Sequence, residues 1–320
     1  MVNEANTGRK PHHALIVIMP NYEDRASATH LLRDLARECA VAPYVVAIDD
    51  GSTRDPLGCE AIQAAGLAGE VVYLRRNMGH QRAIAVGIVY VAANFSADAV
   101  IVMDSDGEDQ PHSIDPLLTT LNEGRYDIVV AERRRRSEPW SFRTFYFVYR
   151  QLFRLLTGRS IRFGNFSALS MRAVARLAAM QETWVHVAAA VMVSRLRIGS
   201  VATDRGTRYE GRSRMNFTSL ALHGLRSIIV FAEDVLVRVG ISCILLSALA
   251  LGSLVATVVL KTIGFATPGW FSIAVGVLVL IVMQAGILTF VTLMVSGFIR
   301  NAPPASQATL DQLIERVDRA

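Results

Sequence analysis

Two long stretches without any charged residue lie in the C-terminal third of the chain, at residues 239–260 and 262–299. A helix needs about 20 consecutive apolar residues to cross a bilayer, and each stretch is long enough. A single stretch of this kind is also found in buried core helices, but two in succession favour a transmembrane hairpin. We therefore expect membrane helices over 235–261 and 269–299, joined by a short loop.

Basic residues flank this hairpin unevenly. Arg226, Arg238 and Arg300 lie on the side that carries both termini, whereas the short loop has only Lys261. The positive-inside rule then predicts that both termini are cytoplasmic. Residues 1–13 are polar and lack the apolar core of a signal peptide, so we expect a disordered N-terminal segment. The few cysteines have no metal-binding spacing, as is usual in a reducing compartment.

The region before the hairpin, up to about residue 234, has an ordinary α/β pattern. Apolar runs that end at turn residues predict strands, and segments with helical spacing lie between them. The predicted strands are 14–19, 44–48, 71–74, 99–103 and 127–130, and the predicted helices are 27–39 and 83–93. This alternation indicates a mostly parallel sheet. No GxGxxG follows a strand, which argues against a dinucleotide-binding domain.

The run 99–103 stops abruptly at the sequence DSDGED, residues 104–109. Ligands of open α/β sheets bind at the carboxyl ends of the strands. Asp104 and Asp106, one residue apart at such an end, can reach one hard cation that also binds a diphosphate. The alternative is a solvated acidic turn. We predict a metal–diphosphate site here, because further motifs accompany the two aspartates.

These motifs occur in a fixed order along the chain. They are P-x-Y-x-D at 20–24, IDDGS at 48–52, RNMGH at 76–80, GNF at 164–166 and RYEGRSR at 208–214. Over about residues 14–299 the chain resembles family-2 glycosyltransferases of the GT-A fold. The RYEGRSR loop and the hairpin resemble those of dolichol-phosphate mannosyltransferases and bacterial polyprenyl-phosphate glycosyltransferases.

The resemblance implies a Rossmann-like GT-A domain at 14–214, interfacial helices at 215–234 and a cytoplasmic tail at 300–320. It also implies a nucleotide-sugar donor, a polyisoprenyl phosphate acceptor (undecaprenyl or dolichyl phosphate), Mg²⁺ or Mn²⁺, and inverting transfer at a bacterial plasma membrane. In the tail, four apolar residues at helical spacing predict a short helix that packs on the domain or on a second subunit. They are Leu310, Leu313, Ile314 and Val317.

The resemblance also assigns roles to individual residues. The residues assigned to the base and ribose of the donor are Pro20, Tyr22, Asp24, Ile48 and Asp50. Those assigned to the metal ion, the diphosphate or the sugar are Asp104, Ser105, Asp106, Glu108 and Arg133. Arg208 and Arg214 are assigned to phosphate, because guanidinium groups bind phosphate oxygens in bidentate fashion. A basic surface loop near anionic lipid is the alternative for these two arginines.

Asn165 marks a departure from the family pattern. Related bacterial enzymes often carry Gly-Asp-Phe-Arg where this chain has GNFS at 164–167. A carboxylate base is therefore missing, but a lipid phosphate is already anionic and needs little proton removal. Catalysis can then depend on positioning and leaving-group electrostatics, and we keep Asn165 among the catalytic candidates. His80 either contacts the pyrophosphate or acceptor, or is structural.

Three other functions compete with this interpretation. One is a family-2 glycosyltransferase that acts on a glycolipid or polysaccharide. A processive synthase is disfavoured, because the chain lacks a Q-x-x-R-W motif and two helices make a poor channel. A third is a membrane scaffold that keeps the fold without catalysis. The net charge of +5 suits an anionic membrane surface, and no nucleic-acid recognition motif is present. The sugar, the choice between UDP and GDP, and homo-oligomer formation stay open.

Overall fold

The computed structural model describes residues 10–133, 150–160, 163–210, 217–265, 269–300 and 307–320. These residues form two compact units. The sheet unit contains every strand found in the described residues; it comprises the described residues up to 133, those between 163 and 230, and residues 307–320. The helical unit contains residues 150–160 and the described residues from 231 to 300.

The sheet unit is built on a single sheet of eight strands. The strands are β1 (His12–Asn21), β2 (Tyr44–Asp49), β3 (Ala68–Leu74), β4 (Ser96–Val102), β5 (Ile128–Arg133), β6 (Phe163–Leu169), β7 (Ile198–Thr203) and β8 (Ile314–Arg319). Their order across the sheet is β7-β5-β6-β4-β1-β2-β3-β8. All neighbouring pairs are parallel except those made by β6 and β8. The predicted mostly parallel sheet is confirmed.

Helices cover both faces of this sheet. Those of the sheet unit are α1 (Arg25–Glu38), α2 (Cys59–Ala64), α3 (His80–Asn94), α4 (Ile114–Asn122), α5 (Met171–Ala178), α6 (Glu182–Val185), α7 (Val187–Val193), α8 (Phe217–Ile229) and α11 (Gln307–Leu313), with a 3₁₀ turn at Pro111–Ser113. One core contains residues of α3, α5 and α7, and the opposite core contains residues of α1, α2 and α4. Because both faces are covered, the central strands are apolar on both sides.

Strand β6 runs against its neighbours and thereby brings an additional residue to the edge where the parallel strands end. It lies between β4 and β5 and is antiparallel to both. Its first residues, Phe163 to Asn165, therefore lie beside the ends of those strands. Asn165 reaches the edge that carries the DSD turn because of this reversal.

The C-terminal segment differs from the prediction. Leu310 and Leu313 are helical, as expected, but Ile314 and Val317 belong to β8, which pairs with β3. The helical spacing is wrong for these two residues because the outer edge of β3 offers unpaired backbone groups, and pairing with them outweighs local helix preference. The segment contacts the domain through this pairing, and its contact with a second subunit stays a prediction.

The helical unit contains two helices that are long and apolar enough to cross a membrane, α9 (Ala232–Thr262) and α10 (Trp270–Arg300). They pack against each other along their lengths, which confirms the predicted hairpin and supports a membrane protein. The side chains that α9 and α10 leave exposed are mainly Leu, Ile and Val. Contact of α8 with the membrane surface stays a prediction.

Candidate active site

The turn after β2 is bound to the turn after β3 through Asp50. Its two carboxylate oxygens accept hydrogen bonds from the backbone N–H groups of Met78 and Gly79, at 2.7 and 2.8 Å. Gly51 lies against the same turn, and a Cβ at this position would be 2.5 Å from the carbonyl carbon of Arg76. The IDDGS and RNMGH motifs therefore form one contiguous surface. Burial raises the pKa of Asp50 despite these two bonds.

Two further carboxylates of this region are also bound by backbone groups. Glu23 accepts hydrogen bonds from the N–H groups at 53–55, and these bonds lower its pKa to about 2. Asp49 accepts from Ser52 N–H at 2.7 Å and from Leu57 N–H at 3.0 Å. These acidic side chains hold the turns in place and leave no oxygen without a hydrogen bond for a ligand.

The residues predicted to bind the base and ribose have different degrees of access. Pro20 and Ile48 are paired across β1 and β2, and the side chain of Ile48 is completely buried. Tyr22 is 41% exposed, and Asp24 caps α1 by accepting from Ser27 N–H. Their contacts with a nucleotide stay predictions.

The DSD turn directly follows β4. Asp109 accepts from the N–H of Asp104, and Asp106 accepts from the N–H of Glu108, both at 3.0 Å. Gly107 has φ +87°, a left-handed conformation that glycine adopts without strain. Burial raises the pKa of Asp106, and the nearby Asp104 carboxylate adds to this effect. Ser105, at the centre of the turn, is buried.

The segment after β7 lies along the DSD turn. The N–H of Gly206 donates to the carbonyl of Glu108 at 2.9 Å, and the N–H of Tyr209 donates to the carbonyl of Asp106 at 3.0 Å. Arg208 forms an ion pair with Asp106, and Arg205 forms one with Glu108. The predicted phosphate-binding arginine and the predicted metal ligand are thus in direct contact.

The other two predicted arginines are described less fully. Arg133 is the last residue of β5, and its backbone pairs with Thr203 of β7, so it ends at the same edge as Asp104. Arg214 lies outside the described residues. Its assignment to phosphate stays a prediction.

Close contacts between side chains link Asn165 to the DSD turn through His80, whose Nε2 accepts from Asn165 when it is unprotonated or donates to Asp104 when it is protonated. Gln81 donates to Oδ1 of Asn165 at 3.2 Å, and Nδ2 of Asn165 lies 3.1 Å from Nε2 of His80. The same His80 nitrogen lies 3.1 Å from Oδ1 of Asp104. Burial disfavours the charged imidazole, but the surrounding aspartates outweigh burial and raise the pKa of His80.

The orientation of the Gln81 and Asn165 amide groups follows from the contact of Gln81 with α7. The backbone N–H of Val187 can only donate, and it donates to Oε1 of Gln81 at 2.8 Å. Gln81 must therefore present its NH₂ group to Asn165, which leaves the NH₂ group of Asn165 facing His80. Asn165 supplies a hydrogen-bond donor at this position, where a carboxylate would supply an acceptor.

Three side chains at this site were missed from the sequence: Gln81, Arg205 and Tyr209. Gln81 is 4% exposed, and a buried polar residue in the first turn of a helix looks like any other core position in a sequence. Arg205 and Tyr209 could have been suspected from the sequence, because they lie beside and within the RYEGRSR motif. Their partners, however, come from elements about 100 or more residues earlier in the chain.

The chemistry of the DSD turn suits a divalent cation. Carboxylate oxygens of Asp104 and Asp106 are the ligand type that Mg²⁺ and Mn²⁺ prefer. Across the described part of the chain, no group of three or more His, Cys, Asp or Glu side chains is arranged to hold a metal by itself. The two aspartates would therefore share the ion with oxygens of the diphosphate.

The sequence is similar to those of curated proteins that are named as glycosyltransferases or sugar transferases. An uncharacterized glycosyltransferase of Synechocystis sp. is 28% identical over 281 residues, which is 83% of this chain and 85% of that protein. Undecaprenyl-phosphate 4-deoxy-4-formamido-L-arabinose transferase of Klebsiella pneumoniae is 30% identical over 156 residues, 47% of this chain and 46% of the relative.

The fold is also found among solved structures. Glucosyl-3-phosphoglycerate synthase from Mycobacterium tuberculosis, in complex with Mn²⁺ and UDP-glucose, superposes with a TM-score of 0.52 at 17% identity, covering 72% of this chain and 80% of that one. The family described as glycosyl transferase family 2 matches residues 16–178, half of the chain. The chain therefore belongs to glycosyl transferase family 2 and is a glycosyltransferase of the GT-A fold.

Proposed function

We propose that this protein transfers a sugar from a UDP- or GDP-sugar to a polyisoprenyl phosphate in the membrane. The observation that carries the proposal is the orientation of Asn165. At the position where relatives often have a carboxylate, this side chain directs an NH₂ group toward His80 and the DSD turn. A hydroxyl acceptor needs a base to remove its proton, whereas a phosphate acceptor does not.

The proposed transfer needs no side chain at residue 165 to remove a proton. An anionic oxygen of the lipid phosphate attacks C1 of the sugar and forms the new C–O bond. The bond between C1 and the diphosphate oxygen breaks, its electron pair leaves with the nucleoside diphosphate, and the configuration at C1 inverts. A divalent cation held by Asp104 and Asp106 would neutralise charge on the departing diphosphate. Arg208, which lies beside the DSD turn, would bind phosphate oxygens.

The two membrane-length helices fit such an acceptor. A polyisoprenyl phosphate is confined to the bilayer, with its phosphate at the surface. Because β8 follows the hairpin and pairs with β3, the chain must return to the side from which it left. Two crossings satisfy this requirement, and by the positive-inside rule the basic flanks favour the cytoplasm for that side. The relative from Klebsiella, named for transfer with undecaprenyl phosphate, supports the same acceptor class.

The test measures nucleoside diphosphate release by detergent-purified protein. A panel of UDP- and GDP-sugars is supplied with Mg²⁺ or Mn²⁺, with and without undecaprenyl phosphate. We expect one donor to give lipid-dependent turnover. Asp106→Asn should lower this turnover by about a thousandfold, since charge stabilisation in the transition state is commonly worth that much. The matched control is Asp98→Asn. Asp98 is exposed near the beginning of β4, whereas the DSD turn follows the end of this strand.

The outcomes separate the alternatives. Lipid-dependent turnover that is lost in Asp106→Asn and kept in Asp98→Asn supports the proposal and identifies the sugar. Donor hydrolysis that undecaprenyl phosphate does not accelerate contradicts the proposed acceptor and favours a glycolipid or polysaccharide. Failure to bind any donor in the presence of metal favours a non-catalytic scaffold.

A further inference from the structure

Tyr209 occupies a space that is left open by a glycine in the DSD turn. A Cβ built on Gly107 would lie 2.5 Å from the Tyr209 ring, so the ring packs directly on the backbone between Asp106 and Glu108. The N–H of Tyr209 donates to the carbonyl of Asp106. The position of Tyr209 is therefore tied to that of the turn at both its backbone and its ring.

The other end of the Tyr209 side chain is bound to α1. Its hydroxyl donates to Oδ2 of Asp34 at 2.5 Å, and its ring stacks on His30 with centroids 5.6 Å apart and an interplanar angle of 25°. Burial and the Asp34 carboxylate both raise the pKa of Tyr209, so the hydroxyl keeps its proton at neutral pH. Asp34 also pairs with Arg37, one helical turn further along α1.

Arg208 is the residue that this arrangement controls. It directly precedes Tyr209, and its guanidinium lies on Asp106. An arginine has many rotatable bonds, and a flexible loop would let it adopt many positions. With its neighbour held on both the DSD turn and α1, the Arg208 backbone has a defined place beside the predicted diphosphate site.

We infer that Tyr209 is a positioning residue, anchored by Asp34, that holds Arg208 at the donor diphosphate. The inference rests on the proposed function in one respect, because it takes the DSD turn to be the donor site. It does not depend on the identity of the acceptor. Tyr209 itself need not touch the donor, since it acts through Arg208.

The experiment compares variants of the full-length protein in detergent. Tyr209→Phe keeps the ring on Gly107 and removes the hydrogen bond to Asp34. Asp34→Ala removes the acceptor, whereas Asp34→Asn keeps a neutral acceptor oxygen and should restore part of the lost affinity. Arg37→Ala is the matched control, since it removes the ion pair of Asp34 without removing the bond to Tyr209.

Two quantities are measured for each variant: the KM for the donor, and the affinity for UDP and GDP in the presence of Mn²⁺ by calorimetry. Loss of a hydrogen bond to a charged group typically lowers an equilibrium constant by about tenfold or more. We expect Tyr209→Phe and Asp34→Ala each to weaken nucleotide binding and raise donor KM about tenfold, with a smaller change in kcat. The double variant should be no worse than either single one, because both remove the same bond.

The inference is overturned if Tyr209→Phe binds nucleotide within twofold of wild type, or if the two substitutions act additively. It is also overturned if binding and thermal stability fall in parallel, because the bond would then support only the fold. Metal-dependent nucleotide binding without transfer to lipid contradicts the proposed acceptor, while the binding data still decide the role of Tyr209. If the wild-type protein binds neither nucleotide, both proposals fail.

Discussion

The two halves of the candidate active-site edge hold their carboxylates in different ways. Beside β1 and β2, Glu23, Asp49 and Asp50 are bound by backbone N–H groups of nearby turns. After β4, Asp106 and Glu108 form ion pairs with the side chains of Arg208 and Arg205, and Asp106 also accepts from the backbone N–H of Glu108. Backbone donors are a fixed part of the folded chain, whereas a side-chain cation can move to another anion without unfolding.

Glu23 and Asp106 also differ in the direction of their pKa shifts. The pKa of Glu23 is lowered to about 2 by its backbone bonds, and the pKa of Asp106 is raised by burial and by Asp104. The fold therefore favours the charge on Glu23 and disfavours the charge on Asp106. A cation that binds the DSD turn would relieve this repulsion.

The largest effect on stability is expected for Asp50→Asn. An asparagine can accept from one of the N–H groups of Met78 and Gly79, but its own NH₂ group would face the other. We expect the free energy of unfolding of the sheet unit to fall by about 2 kcal/mol, the usual contribution of hydrogen bonds to a charged group. Denaturant unfolding in detergent measures this change.

Asp106→Asn is the comparison for that variant. Arg208 can turn to solvent, and the amide oxygen of an asparagine can still accept from Glu108 N–H. We therefore expect the stability of this variant to stay within about 0.5 kcal/mol of wild type. Equal losses of stability for Asp50→Asn and Asp106→Asn would show that the two halves of the edge do not differ in this way.

A smaller effect is expected for Asn165→Ala. This substitution removes the bond from Gln81 and the contact with His80, and we expect sugar transfer at saturating donor to fall about tenfold. Thermal stability should change little. Asn94→Ala is a suitable control, since it removes one hydrogen bond at the opposite end of α3. A transfer rate equal to that of wild type would remove Asn165 from the catalytic candidates.

The smallest effect concerns pH and Glu23. Because its folded pKa of about 2 is below the ordinary value of 4.5, the ionised side chain stabilises the fold above pH 4.5. This contribution is lost as the pH falls from 4.5 toward 2. We expect Glu23→Gln to flatten the decline of Tm across this range, measured against wild type in the same detergent. Parallel Tm curves for the two proteins would contradict the assignment.

Much of the parallel sheet was predictable, because apolar runs bounded by turn residues are a local signal. Strands β1, β2 and β4 lie where their runs predict them, within a few residues at either end. Asp104 and Asp106 could be predicted for the same reason, as they directly follow one of those runs. The helical hairpin followed from composition alone.

What could not be predicted depends on contacts between distant segments. The direction of β6 is set by pairing with β4 and β5, and this pairing brings Asn165 to the edge. Ile314 and Val317 satisfy a helical pattern and a strand equally well, and only the free edge of β3 decides between them. Tyr209 is recognisable as a partner of Asp34 only once α1 is packed beside the DSD turn.

The pairing of β8 with β3 has a consequence for how the protein is made. Residues 314–319 are synthesised after both apolar helices, so the nascent sheet has an open edge along β3 until the hairpin is complete. Open edges invite pairing with other chains. The domain therefore protects its own edge only after the ribosome has passed the membrane segments. The sheet is therefore complete only after both apolar helices have been synthesised. A chain that stops before residue 314 would keep β3 as an open, aggregation-prone edge strand.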